Sequence, residues 1–247
     1  MKVVYHDFFR HSYCRDPAAA EGRLDAAINA IQNHVEFVEA YPADRFDIVA
    51  CHTKSHIEHV ARQGLYEISS LAAGGSVQAA TIGLEEPCFA LVRPPGHHAS
   101  RDFSWGYCHF NNIAIAIAKL KREGKIRRAF ILDIDRHFGD GTANILGIAG
   151  YATIHNPYAP DPDSYLKNIK EHLPEDADII GISAGFDYHR DDWGGLLSTE
   201  NYREIGTMVC EASQKSNSGC FAVLEGGYNH DVLGQNVMAL IQGMEGH

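Results

Sequence analysis

The chain has 247 residues, with 21 Lys and Arg against 32 Asp and Glu, so its formal net charge is −11. That balance argues weakly against direct binding to nucleic acid, which calls for a basic face; it is compatible with cationic substrates drawn in by long-range attraction, and equally with acidity that simply keeps the protein soluble. No apolar run approaches the roughly 20 residues of a membrane helix, the start (Met1–Asp7) lacks the apolar stretch of a signal peptide, and the six cysteines include no CxxC pair, so the expectation is reduced thiols in a cytoplasmic protein.

Residues 1–5 read as a first strand. A helix opens at Glu21, with Leu24, Ala27, Ile28 and Ile31 at helical spacing. Phe46–Ala50 reads as a second short strand and Ser55–Leu71 as a helix. Gly74-Gly75 breaks the pattern before another helix, Ser76–Ile82. Cys88–Val92 is an apolar strand that stops at Arg93-Pro94-Pro95-Gly96-His97-His98, where two prolines and a glycine fix the path of the chain. A segment rich in glycine and aromatics, Trp105–Asn112, leads into a helix over Ile113–Arg122. Further strands are predicted at Ala129–Leu132, Tyr151–Ile154, Asp178–Ser183 and Cys220–Leu224, with helices at Tyr165–His172, Thr199–Ser213 and Asp231–Met244. Continuous apolar strands alternating with helices predict an α/β fold: three layers, a mainly parallel sheet with helices on both faces. With no repeat or linker, residues 1–247 read as one catalytic domain.

The chemistry sits at strand ends. Arg93–His98, Asp133–Gly141, Gly185–Asp187 and Glu225–Tyr228 each follow a buried strand, and ligands of open α/β sheets bind outside the carboxyl ends of strands. In Ile131–Thr142 (I-L-D-I-D-R-H-F-G-D-G-T), Asp133, Asp135 and His137 project to one side if the extended run persists. Charges at the end of a buried strand need a partner. Asp135, His137 and Asp187 form a plausible metal set, since catalytic zinc takes three protein ligands and leaves a position open; the donors equally suit iron, manganese or cobalt. The other reading is a metal-free hydrogen-bonded network. His97 and His98, with spare acids at Asp133 and Asp140, suit acid/base dyads, because a carboxylate on one ring nitrogen fixes the tautomer and raises the basicity of the other; a structural His pair is the alternative. Tyr228, after two glycines, could donate to an oxyanion or merely pack. Trp105 and Tyr107 could line a channel or belong to the core.

R-P-P-G-H-H-A, D-I-D-R-H-F-G-D-G-T, S-A-G-F-D-Y-H-R-D-D and L-E-G-G-Y-N, in this order, resemble the motifs of the zinc-dependent deacetylase family, which comprises histone deacetylases, acetylpolyamine amidohydrolases and acetoin-utilisation proteins. The resemblance runs from about Tyr5 to the end of the chain. It implies an arginase-like α/β fold and a zinc ion on Asp135, His137 and Asp187. By the same resemblance His98 is the general base and acid, His97 its electrostatic partner, and Asp140 and Asp133 their respective carboxylates. It also makes Tyr228 the oxyanion donor and Gly106-Tyr107 the wall of the acyl-lysine tunnel. A structural potassium ion is implied as well, on backbone oxygens around Asp133, Asp135 and His137 together with Thr153. The implied substrate is an acetylated amine, either peptide lysine or a small polyamine.

Three departures stand out. Phe138 replaces a second His and Arg136 an apolar residue. The loops before His97 and after His155 are short. No rim acid is evident: Gly194 stands near the place of the glutamate of acetylpolyamine-specific relatives, with Asp191 and Asp192 close by. A two-manganese ureohydrolase would need an acid at Gly139 and an Asp pair around Asp187, which Tyr188-His189 does not supply. A binding protein with the same fold and a degenerate site is the remaining alternative. Oligomeric state is not legible in the sequence.

Overall fold

The computed structural model describes residues 1–246. Among these, seven strands form one parallel sheet in the order β2-β1-β3-β7-β6-β4-β5. The strands are β1 (Lys2–Tyr5), β2 (Glu36–Glu39), β3 (Cys88–Ala90), β4 (Ala129–Asp133), β5 (Ala152–His155), β6 (Ile179–Ala184) and β7 (Gly219–Leu224). Strands β3, β4 and β6 are buried along their whole length. Both edge strands are more open, which is why β2, with Glu at each end, carries no apolar run and escapes the sequence pattern. The three-layer parallel expectation holds. Helices α1 (Arg23–Ile31), α8 (Thr199–Ser216) and α9 (His230–Met244) pack together. So do α2 (Arg45–Cys51), α4 (Tyr66–Ile82) and α5 (Asn112–Arg122). The remaining α-helices are α3 (Lys54–Arg62), α6 (Asp140–Leu146) and α7 (Pro162–His172).

Three local expectations are overturned. The strand expected at Phe46–Ala50 is helix α2. Its buried positions, Ile48 and Cys51, are three apart, whereas Phe46 and Val49 face solvent. Asp47, also buried, is held by Arg122 and by Lys119 at 3.0 Å, both from α5. The helix expected over Ser55–Leu71 is divided at Gly64, which has φ of +75°. Gly74-Gly75 does not break α4. A Cβ on Gly74 would lie 1.9 Å from the carbonyl oxygen of Tyr41, so the missing side chain lets a buried helix approach the segment after β2. In addition, a helix absent from the sequence reading, α6, begins at Asp140. No helix among the described residues is long and apolar enough to cross a membrane.

Candidate active site

The strands β3, β7, β6 and β4 are consecutive neighbours in the sheet. Their carboxyl ends therefore open side by side, and the four segments singled out in the sequence meet there. The loop after β3 is tied down by Glu225, which follows β7: its Oε2 accepts the backbone N–H groups of Gly96 (2.6 Å) and His97 (3.2 Å). Burial pushes the Glu225 carboxyl up to about 7, against the pull of His97. The sequence reading gave Glu225 no role. Its signal was a carboxylate directly after the apolar run Cys220–Leu224, where solvent is excluded.

The two histidines that this loop presents stack with ring centroids 3.9 Å apart. His97 Nδ1 lies 3.1 Å from Asp133 Oδ2, and His98 Nδ1 lies 2.6 Å from Asp140 Oδ1. The environments drive the pair apart. Burial would lower His97, but the charges of Asp135 and Asp133 outweigh it and hold His97 well above the usual imidazole range. His98 is lowered to about 4, by burial first and by the charge of His97 second. One imidazole is thus held charged and the other neutral, the arrangement expected of divided acid/base roles.

Strand β4 ends at Asp133, so the extended run does not carry three side chains to one face as expected. A turn does that work. The N–H of Asp135 donates to Asp133 Oδ1 (3.2 Å), and the N–H of His137 donates to Asp135 Oδ1 (2.9 Å). Asp133 faces His97, while Asp135 and His137 turn toward Asp187 beyond β6. His137 Nδ1 is 3.0 Å from Asp135 Oδ1 and 3.1 Å from Asp187 Oδ2. The ligand atoms of the three residues all lie within 4.8 Å of one another. Asp187 Oδ2 is buried and out of line for any hydrogen bond. The outer oxygens are fixed from behind: the N–H of Gly226 donates to Asp135 Oδ2 and that of Arg136 to Asp187 Oδ1. Burial and the charge of Asp135 push Asp187 up to about 6, while the two carboxylates pull His137 up to about 9. Two carboxylates and an imidazole converging on one point, with a buried oxygen unsatisfied, fit a divalent cation with N and O ligands.

A second buried group, His97, Cys108 and Glu225, also brings ligand atoms within 4.8 Å of one another. Several of its atoms already have partners, although the buried Glu225 Oε1 has none. Glu225 Oε2 takes two backbone N–H groups, His97 Nδ1 faces Asp133, and Cys108 Sγ accepts the N–H of His98 at 3.4 Å. Burial also raises the thiol well above its ordinary value, away from the thiolate a metal needs.

Above the cation set lies a cavity of about 310 Å³. Gly106 and Tyr107 line it as expected, and both have positive φ, +59° and +68°. Tyr228 meets Tyr107 edge-on at 6.0 Å and is covered by Trp193, stacked at 4.1 Å. Burial, with the charge of Asp135, holds the Tyr228 phenol far above its ordinary value, so it stays protonated as a donor. Asp192 is not a rim acid: its Oδ2 accepts the N–H groups of Tyr228 and Asn229, each at 2.7 Å. Trp193, unremarked in the sequence, stands beside Gly194 instead. Trp105 is a half-exposed lining residue rather than core. Phe138 and Arg136 point to solvent, which explains why the family's second His can be lost here without touching the cation set. Thr153, expected beside a potassium ion, lies on β5, where it pairs with Phe130 of β4.

The histone deacetylase domain model matches residues 18–149 and 161–244. The chain belongs to this family. It is 31% identical over 91% of its length to a protein of Methanothermobacter thermautotrophicus described as "Probable deacetylase", of which it spans 85%. It is 26% identical over 87% of its length to a polyamine deacetylase of Danio rerio, spanning 38% of that protein, and 32% identical over 64% of its length to acetylpolyamine amidohydrolase 2 of Pseudomonas aeruginosa, spanning 56%. The fold superimposes on the crystal structure of the HDA15 HD domain with a TM-score of 0.83, at 21% identity, covering 99% of this chain and 89% of the other.

Proposed function

We propose that the chain hydrolyses the amide of an acylated primary amine, acetyl-lysine in a peptide or an acetylated polyamine, with a zinc ion held by Asp135, His137 and Asp187. The observation that carries this is the convergence of those three side chains beside a pair of histidines, each with its Nδ1 on a carboxylate of its own. When bound, the cation supplies Lewis acidity toward the scissile carbonyl and toward water.

The remaining work falls to the chain's own groups. Nδ1 of His98 is committed to Asp140, which leaves Nε2 free to take the proton of the attacking water. A neutral His98 is ready for that step; a charged His97 beside it steadies the negative charge that develops. The Tyr228 phenol donates to the oxyanion of the tetrahedral intermediate. His98 then returns its proton to the amine nitrogen as the carbon–nitrogen bond breaks, giving a carboxylate and a free amine. Gly106 and Tyr107 form one wall for the acyl-bearing chain. We assign a structural potassium ion to the backbone oxygens around Asp133, Asp135 and His137 together with Thr153, and read residues 1–247 as one catalytic domain.

The test is metal analysis of the purified protein followed by turnover of acetyl-lysine peptides, acetylputrescine and acetylspermidine. The expected result is one divalent ion per chain and hydrolysis of at least one of these amides. Both should be lost in Asp187→Asn. Bound metal without turnover of any acylated amine would overturn the hydrolase reading in favour of a binding protein.

A further inference from the structure

Two carboxylates support the two histidines, but they are not equally well held. Asp133 is fully buried, and its second oxygen accepts a backbone N–H, that of Asp135. Asp140 is the first residue of the seven-residue helix α6, with its side chain 36% exposed. Among the described residues no backbone group donates to its carboxylate. An exposed carboxylate with one bond can rotate and exchange that bond for water, and so would not fix the ring it serves.

Trp105 supplies the missing anchor. Its indole Nε1–H donates to Asp140 Oδ2 at 2.9 Å, while Oδ1 holds His98 Nδ1 at 2.6 Å. The same indole lies flat on the His98 ring, centroids 3.9 Å apart and planes 30° apart. The local chain explains how this comes about. Gly106 and Tyr107 both take positive φ, and the N–H of Cys108 closes back on the Trp105 carbonyl at 3.1 Å. The segment therefore folds over His98, so closely that a Cβ on Gly106 would sit 2.4 Å from His98 Cδ2. Trp105, Asp140 and His98 form a closed triangle in which each member touches the other two.

We propose that Trp105 is a positioning residue for the general base, fixing Asp140 through its N–H and the His98 ring through its face. This rests on the acid/base role proposed above for His98. A residue that acts through the base changes the chemical step; one that is only a wall of the cavity changes substrate binding. The two are separable because Trp105→Phe keeps a flat ring and loses only the N–H, whereas Trp105→Ala loses both.

The experiment measures steady-state kinetics on an acetyl-lysine fluorogenic peptide for the zinc-loaded parent, Trp105→Phe, Trp105→Ala, Asp140→Asn and the double variant Trp105→Phe/Asp140→Asn. We expect kcat to fall about 5–20-fold in Trp105→Phe and further in Trp105→Ala, with KM within about twofold of the parent; such losses are on the scale of one hydrogen bond to a charged group. In the Asp140→Asn background, Trp105→Phe should cost less than about twofold, because the one oxygen that remains cannot accept from both the indole and His98. Independently of turnover, the Trp105 indole N–H signal in a nitrogen–proton NMR spectrum, identified by its disappearance in Trp105→Phe, should shift in Asp140→Asn. Full kcat in Trp105→Phe, a change confined to KM, additive losses in the double variant, or an unmoved indole signal would each overturn the proposal. If His98→Ala inactivates the enzyme while Trp105→Phe matches the parent, the inference alone fails. Undiminished turnover in His98→Ala removes the proposed function, and the inference with it.

Discussion

Gly106→Ala is the sharpest perturbation this site permits. The substitution has two separable costs. Gly106 has φ of +59°, and an L-residue in the left-handed region costs roughly 1–2 kcal/mol. The added Cβ would also sit 2.4 Å from His98 Cδ2, where ordinary contact begins near 3.4 Å, so the imidazole or the loop must retreat by about 1 Å. Misplacing a catalytic group by that distance costs on the order of 10² in rate. Gly64→Ala isolates the first cost: φ there is +75° and nothing lies within 4 Å of the added atom. Gly64→Ala should lose ~1–2 kcal/mol in urea denaturation, and Gly106→Ala more than that, because the clash adds to the backbone cost. Only Gly106→Ala should lose kcat on an acylated-amine substrate, by about two orders of magnitude. Activity of Gly106→Ala within threefold of the parent, or an equal loss in Gly64→Ala, would refute the reasoning that the Gly106 backbone sets the position of His98.

Tyr228→Phe should lower kcat by ~10²–10³, the usual cost of one oxyanion donor, with bound metal unchanged by elemental analysis; near-normal turnover would remove Tyr228 from that role. Glu225 makes stability depend on pH. Its folded pKa, about 7, lies above the ordinary 4.5, so the folded state binds more protons between those values and stability falls as pH rises through that window. Glu225→Gln should flatten the decline by about 2 kcal/mol, read as the difference between urea unfolding at pH 5 and pH 7 for parent and variant. An unchanged slope would mean that Glu225 is ionised in the folded protein throughout. Removal of metal by a chelator should abolish turnover and lower the melting temperature, and zinc should restore both; a melting temperature indifferent to chelation would count against the Asp135, His137 and Asp187 set.

The segments that meet at the site were legible because their chemistry conflicts with their position. Asp133, Asp135 and Glu225 follow apolar runs that can only be buried strands, and buried carboxylates demand partners. Where the pattern was ambiguous the reading went wrong. In Phe46–Ala50 a short apolar run fits strand or helix alike, and only burial at positions 48 and 51 decides for α2. Strand β2 carries charges at both ends because an edge strand can face water, so no period announced it.

By itself the sequence determined most of the elements, the parallel sheet and the list of chemical groups, since apolar period and strand-end charge are local properties. The tertiary structure decided who meets whom. Strands third, fourth, sixth and seventh in the chain lie in the order β3-β7-β6-β4, so their carboxyl ends line one opening. Only that order sets Asp187 against His137, gives the loop after β3 to Glu225, and lays Trp105 on His98 and Asp140. Such contacts join residues up to 129 positions apart, as between Gly96 and Glu225. They depend on sheet order and on turns whose shape no side-chain period encodes.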